Sequence, residues 1–282
     1  REMIGVAIGN KQFWTEKIPG NQSSEEDVKI VRQYYNKLFG MKNHQMVPSQ
    51  FWLFENGVTI NNFNEIFNPN LGFIKDKIES IVEYSNLDTI DLILYYSGEG
   101  TTVAGEKCII PYDADKNKIH SFFKIKDLYS MLKEINKIDN IGDIFVFMDL
   151  DFNNSGFEQN LKTAELDIPK KKKKKKKKKE EAPKTVFPPE LVPPKGITTF
   201  YAANTTEKSY DHPELENGIF TYYMLKGLRG DADNGDKAIT VGELHNYIRK
   251  NVLGTTKNLY SSLPQTPQLF TDNPDRVLLQ LP

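Results

Sequence analysis

With 282 residues, 38% of them hydrophobic and 11% aromatic, the chain can bury a substantial core, as one large α/β domain or two small ones. No apolar run approaches the roughly 20 residues that a transmembrane helix needs, and a single cysteine, Cys108, excludes an internal disulfide and favours an intracellular, cytoplasmic setting. The net charge of −1 conceals an asymmetry: ten of the 37 basic residues form one run, Lys170–Lys179, so the remainder stands ten units lower, at −11.

No secretory signal opens the sequence, and Arg1 in place of Met suggests a processed form or an excised segment of a longer protein. Met3–Ile8 reads as an apolar strand. Ser23–Leu38 reads as a helix with Ser24 as N-cap, Glu25, Glu26 and Asp27 in the first turn, where the helix dipole favours acids, and Gly40 just past the end. Its apolar face carries Val28, Val31, Tyr35 and Leu38. Phe51–Phe54 is a second strand candidate, and Asn61–Ser85 is mixed, with Phe73, Ile74, Ile78, Ile81 and Val82 at helical spacing. Leu92–Ser97 and Ile144–Met148 are too continuously apolar for half-exposed strands, and Ile125–Ile135 reads as a helix between them. This alternation implies a parallel sheet covered on both faces.

Residues 157–196 break the pattern. Ten lysines repel one another, and Pro183, Pro188, Pro189, Pro193 and Pro194 block regular structure, which predicts a solvated, disordered linker. Beyond it Ile197–Ala203 reads as a strand and Ile219–Leu228 as a helix. Thr240–Lys250 reads as a helix opened by a Thr240/Glu243 capping box. No internal repeat is visible.

Two segments run from a buried strand into a small-residue turn: Asp91–Gly100, DLILYYSGEG, and Asp143–Gly156, DIFVFMDLDFNNSG. Each resembles a strand end of the caspase and metacaspase clan of cysteine peptidases, where the turns read Ser-Gly-His-Gly and Asp-x-Cys-x-Ser-Gly and deliver the base and the nucleophile. The likeness continues in Ile4–Asn10 and Ile110–Asp115. It extends through Ala202-Ala203-Asn204, Glu207, Ser209, Tyr210, Asn217–Thr221, Leu228-Arg229-Gly230, Asp231–Asp236, Glu243-Leu244 and Gln265–Gln268, all in the family's order and spacing. The resemblance implies an α/β fold, a caspase-like three-layer α/β/α domain over residues 1–282 with a largely parallel, roughly six-stranded sheet. Residues 1–156 would be the large-subunit-like half, 157–196 the intersubunit linker and 197–282 the small-subunit-like half.

Under that resemblance Glu99 takes the histidine position and Asp151 the cysteine position. Cysteine proteolysis needs a thiolate, a base beside it and donors for the oxyanion. A carboxylate at Asp151 is a poor nucleophile toward an amide, and Glu99 offers no imidazole to protonate the leaving amine. The turn through Phe152–Gly156 is also one residue longer than the family pattern, which bears on the oxyanion-binding amides. The expected cleft residues are Gly98, Gly100, Asp149 and Ser155.

The reading is a catalytically inactive domain serving as a structural or protein-interaction module, with no cofactor. Two alternatives stand beside it. One is a carboxylate cluster of Glu99, Asp149 and Asp151 holding Mg²⁺ or Ca²⁺ with residual hydrolytic activity. The other is an active cysteine-type endopeptidase with its nucleophile elsewhere, which leaves Cys108, otherwise read as a small buried hydrophobe. His44, His120, His212 and His245 read as surface residues. The Asp231–Asp236 segment is out of register for an EF-hand loop and reads as a polar turn. A protein partner or larger assembly is expected, and Lys170–Lys179 could bind nucleic acid or an anionic surface by charge alone.

Overall fold

In the computed structural model, residues 2–14, 22–42, 45–47, 58–84, 89–152, 187–260 and 263–282 are described. In chain order, β1 (Glu2–Gly9) leads to α1 (Ser24–Phe39), β2 (Met46–Val47), α2 (Ile60–Phe67), α3 (Phe73–Tyr84) and β3 (Ile90–Ser97). A small antiparallel sheet of β4 (Gly100–Val103), β5 (Glu106–Ile109) and β6 (Phe123–Lys124) precedes α4 (Ile125–Ile135) and β7 (Ile141–Asp149). Then come β8 (Ile197–Tyr201), α5 (Ile219–Lys226), β9 (Ala238–Thr240), α6 (Val241–Tyr260), β10 (Gln268–Phe270) and β11 (Val277–Gln280).

The main sheet has six strands in the order β10-β8-β7-β3-β1-β2. Five run parallel and β10 pairs antiparallel on β8. Every residue of the central β3 is buried, which is why its sequence is apolar without alternation. Successive side chains point to opposite faces. Leu92, Leu94, Tyr96, Val146 and Met148 pack with Phe63 and Ile66 of α2, Ile74 and Ile78 of α3 and Leu128 and Leu132 of α4. Ile93, Tyr95, Phe145, Phe147 and Phe200 pack on the other face with α1, α5 and α6, and Phe147 stacks on Phe200 at 4.6 Å between ring centres. The expected three-layer arrangement and six-stranded sheet are therefore found, and no helix among the described residues is long and apolar enough to cross a membrane.

Helix α4 matches its expected bounds, and the capping box closes as predicted: Thr240 N–H donates to Glu243 Oε2 at 2.8 Å and Glu243 N–H to Thr240 Oγ1 at 3.2 Å. Four details differ from the sequence reading. The helix expected from Phe73 to Val82 is α3, but the mixed stretch before it holds a second helix, α2, parted from α3 where Asn68 Oδ1 accepts the amides of Asn70 and Leu71. Helix α6 runs on to Tyr260, because Val252 and Thr256 continue its buried stripe past Lys250. Ser24 is the first helical residue of α1 rather than its cap.

The fourth correction concerns the linker of 157–196, whose last ten residues belong to the packed body. Leu191 is fully buried in the core, its carbonyl accepts the Tyr201 hydroxyl at 3.1 Å, and Phe187 meets Phe270 edge-on at 4.9 Å. Prolines that block helix and strand are compatible with a short 3-10 turn, here Pro189–Leu191. The Phe51–Phe54 strand candidate, the Lys170–Lys179 run, His44 and Ser155 lie outside the described residues.

Candidate functional site

The carboxyl ends of β3 and β7 lie in register, Ser97 beside Asp149, and the turns that follow remain in contact. Gly98 N–H donates to the Asp149 carbonyl at 3.1 Å. At Gly100 a Cβ would lie 2.5 Å from the Asp151 carbonyl oxygen, so this approach requires glycine. Glu99 and Asp151 thus occupy neighbouring turns at one sheet edge, both half-buried. Asp151 Oδ2 accepts the Ser209 amide at 3.0 Å. The Glu99 carbonyl accepts the Ile110 amide at 3.0 Å. Burial first, and the Glu99 charge second, push the Tyr96 phenol well above its usual range.

Asp149 is drawn below this edge. It is 1% exposed, and its oxygens accept Ser209 Oγ at 2.7 Å and Thr221 Oγ1 at 2.6 Å. Tyr95 supports Thr221 at 2.5 Å, and Gln265 Nε2 donates to Ser209 Oγ at 3.1 Å. Its carboxylate neighbour is Asp27 of α1, a residue that the sequence reading placed only in an acidic first turn. Asp27 is fully buried. It accepts Asn217 Nδ2 at 3.0 Å and Gly218 N–H at 3.1 Å on Oδ1, and Ser23 Oγ lies 3.0 Å and Ser97 Oγ 3.3 Å from Oδ2. Gly218 sits between the two acids: a Cβ there would lie 2.7 Å from Asp149 Oδ2 and 3.3 Å from Asp27 Oδ2.

Burial raises both carboxyls above the ordinary range. Asp27 is pushed to about 8, with the Asp149 charge as the second cause, and Asp149 to about 6, opposed by the hydroxyls of Thr221 and Ser209. The Asp149 charge thus helps raise Asp27, and the Asp211 charge helps raise Asp149. Among the described residues no group of three or more His, Cys, Asp or Glu is placed to hold a metal ion. The lone pairs of Asp149 face hydroxyl donors, which is the opposite of what a cation shell requires.

Cys108 lies on β5 opposite Thr101 and is buried with Val103, Ile110, Ala114 and Phe122. Burial pushes its thiol from the ordinary 9.0 to about 12. His120 is exposed on a short 3-10 turn. His245 is half-buried rather than a surface residue, within reach of the Pro267 carbonyl at 3.3 Å, and burial lowers its pKa. Asp233 Oδ1 closes the expected polar turn by accepting the amides of Gly235 and Lys237.

Beside the buried acids opens a cavity of about 380 Å³ lined by Lys11, Gln22, Ser23, Glu26, Asp211 and Glu216 together with Leu215. Three carboxylates and one ammonium line it, and one of the three, Glu26, is paired with Lys29 at 2.8 Å. Helical spacing contained the signal for Asp27, since it lies four residues before Val31 and eight before Tyr35, on the apolar face of α1. Nothing local marks Ser209, Asp211, Asn217, Gly218 or Thr221 as its neighbours, because they arrive from about 190 residues away in sequence.

The sequence model of the caspase domain matches residues 4–278. Among solved structures, a Geobacter sulfurreducens protein superposes with a TM-score of 0.54 at 15% identity, over 98% of this chain and 95% of that one. Caspase-1 from Spodoptera frugiperda superposes with a TM-score of 0.55 at 10% identity, over 99% of this chain and 89% of that one. A third structure, pro-sf-caspase-1, gives 0.56 at 9% identity over 99% and 90%. No curated protein sequence matches the chain.

Proposed function

Because the chain belongs to the caspase-domain family of peptidases, we propose that it is a pseudopeptidase, a domain that keeps the fold, lacks thiol–imidazole chemistry and binds a basic segment of a protein partner. The observation that carries this reading is the occupation of the two apposed strand-end turns by Glu99 and Asp151, with the chain's one thiol buried in a separate cluster. Loss of a catalytic-triad member alone lowers hydrolase rates by about 10⁴–10⁶, and here nucleophile and base are both carboxylates. The basic character of the partner follows from the cavity, where Asp211 and Glu216 face the single lining cation Lys11, Glu26 being already paired with Lys29 at 2.8 Å. A cationic side chain entering it would meet complementary charge close to buried acids.

Peptides with aspartate, arginine or lysine at the scissile position should be left intact by the purified protein. Turnover that disappears in Cys108→Ala would overturn the assignment. Binding is tested by fluorescence anisotropy with short lysine- and arginine-bearing peptides. Affinity should fall several-fold in Glu26→Gln/Glu216→Gln and on addition of salt, and an acidic peptide that binds as tightly would contradict the basic-segment reading.

A further inference from the structure

The hydroxyl of Ser23 stands between two carboxylates. Its Oγ is 2.6 Å from Asp211 Oδ1 and 3.0 Å from Asp27 Oδ2, and a hydroxyl has one proton to donate. If both acids were ionised, one of these two oxygen pairs would have no hydrogen between them. We propose that Asp27, Ser23 and Asp211 form a one-proton joint between the start of α1 and the segment leading into α5, closed while Asp27 is protonated and loosened when that proton leaves.

In the closed state Asp27 donates through Oδ2 to Ser23, and Ser23 donates onward to the half-buried Asp211. The other oxygen of Asp27 keeps Asn217 and the Gly218 amide. The groups facing Asp27 are Ser23 at the start of its own helix, Tyr95 and Ser97 from β3, Asp149 from β7, and Asn217 and Gly218 ahead of α5. Lys11, Glu26 and Glu216 stand with Asp211 around the cavity, and His212 is turned toward Tyr222, 6.3 Å between ring centres. Among the described residues no lysine or arginine forms an ion pair with Asp27, Asp149 or Asp211. A proton is thus the positive charge available inside the cluster, and burial together with Asp149 holds it there. The joint reaches the strand-end turns, because the same segment carries Ser209, which holds both Asp149 and Asp151.

The sign follows from linkage. A carboxyl whose folded pKa lies above its unfolded value keeps a proton that the unfolded chain has released, so its contribution is present at low pH and is lost as pH rises toward the folded value. Asparagine at position 27 mimics the protonated acid, with its amide donating to Ser23 and its carbonyl accepting from Asn217 and Gly218. The test is amide hydrogen exchange, expressed as protection factors to remove intrinsic base catalysis, at His212, Gly218 and Ile219 from pH 6 to pH 9.5. Wild-type protection should fall at least tenfold between pH 6 and pH 8 and level off above it, while Asp27→Asn stays protected throughout. Parallel behaviour of the two proteins would overturn the joint. If Asp27→Asn does not fold, ¹³C carboxyl titration of the wild type decides: an aspartate resonance moving between pH 7 and 9 supports the joint, and none titrating above pH 6 overturns it.

Discussion

Alkylation of Cys108 provides a quantitative check on where the chain can and cannot do thiol chemistry. The thiolate is the species that reacts. With its pKa raised from 9.0 to about 12, the thiolate fraction of Cys108 at pH 8 falls about a thousandfold, from roughly one in ten to one in ten thousand. Burial at 1% exposure adds the requirement that β5 open before a reagent can arrive. Iodoacetamide added to native protein at pH 8 should therefore label Cys108 at least a thousandfold more slowly than in denaturant, followed by intact mass. The dependence of the native rate on pH should remain tenfold per unit up to pH 10, with no plateau near 8. A native rate within tenfold of the denatured one would mean an accessible, activated thiol. That result would refute the burial argument and restore Cys108 as a candidate nucleophile.

Three further outcomes follow from particular contacts. Leu191→Ala should lower stability by about 2–5 kcal/mol in urea unfolding, since it empties a fully buried site beneath Tyr201; a change under about 0.5 kcal/mol, as at exposed positions, would show that the 187–196 segment is not packed. Gly218→Ala should cost about 1–3 kcal/mol, measured by the melting transition, because its methyl meets Asp149 Oδ2 at 2.7 Å and separates Asn217 from Asp27. Replacing Lys170–Lys179 by a Gly/Ser segment of equal length should leave the melting temperature unchanged, because a run of like charges adds nothing to a core; a marked fall would place those lysines in contact with the acidic body.

Much of the architecture was legible in the chain because short-range rules produce it. Continuous apolar runs marked β3 and β7, and the amphipathic stripe of Ile125–Ile135 marked α4 to the residue. The Thr240/Glu243 pair marked the start of α6. The collinear motifs identified the family and placed Glu99 and Asp151 on neighbouring turns, which the register of Ser97 with Asp149 reproduces. Proline content misled at 187–196: a proline excludes regular hydrogen bonding but does not prevent its neighbours from burying side chains, and Phe187 and Leu191 do so.

The charge arrangement is a different matter. Sequence placed Asp149 with Glu99 and Asp151 because all three lie near strand ends. The fold instead points Asp149 into the layer shared with α1, where it meets Asp27 across Gly218. Which acids share a low-dielectric site depends on the face a strand residue occupies and on how a distant helix packs over it. Both are decided by burial of the whole α1–sheet–α5 layer rather than by any local pattern. Residue types and strand ends could therefore be read in one dimension, whereas the pairing of Asp27 with Asp149, and of Ser23 with Asp211, exists only once segments about 190 residues apart are packed together.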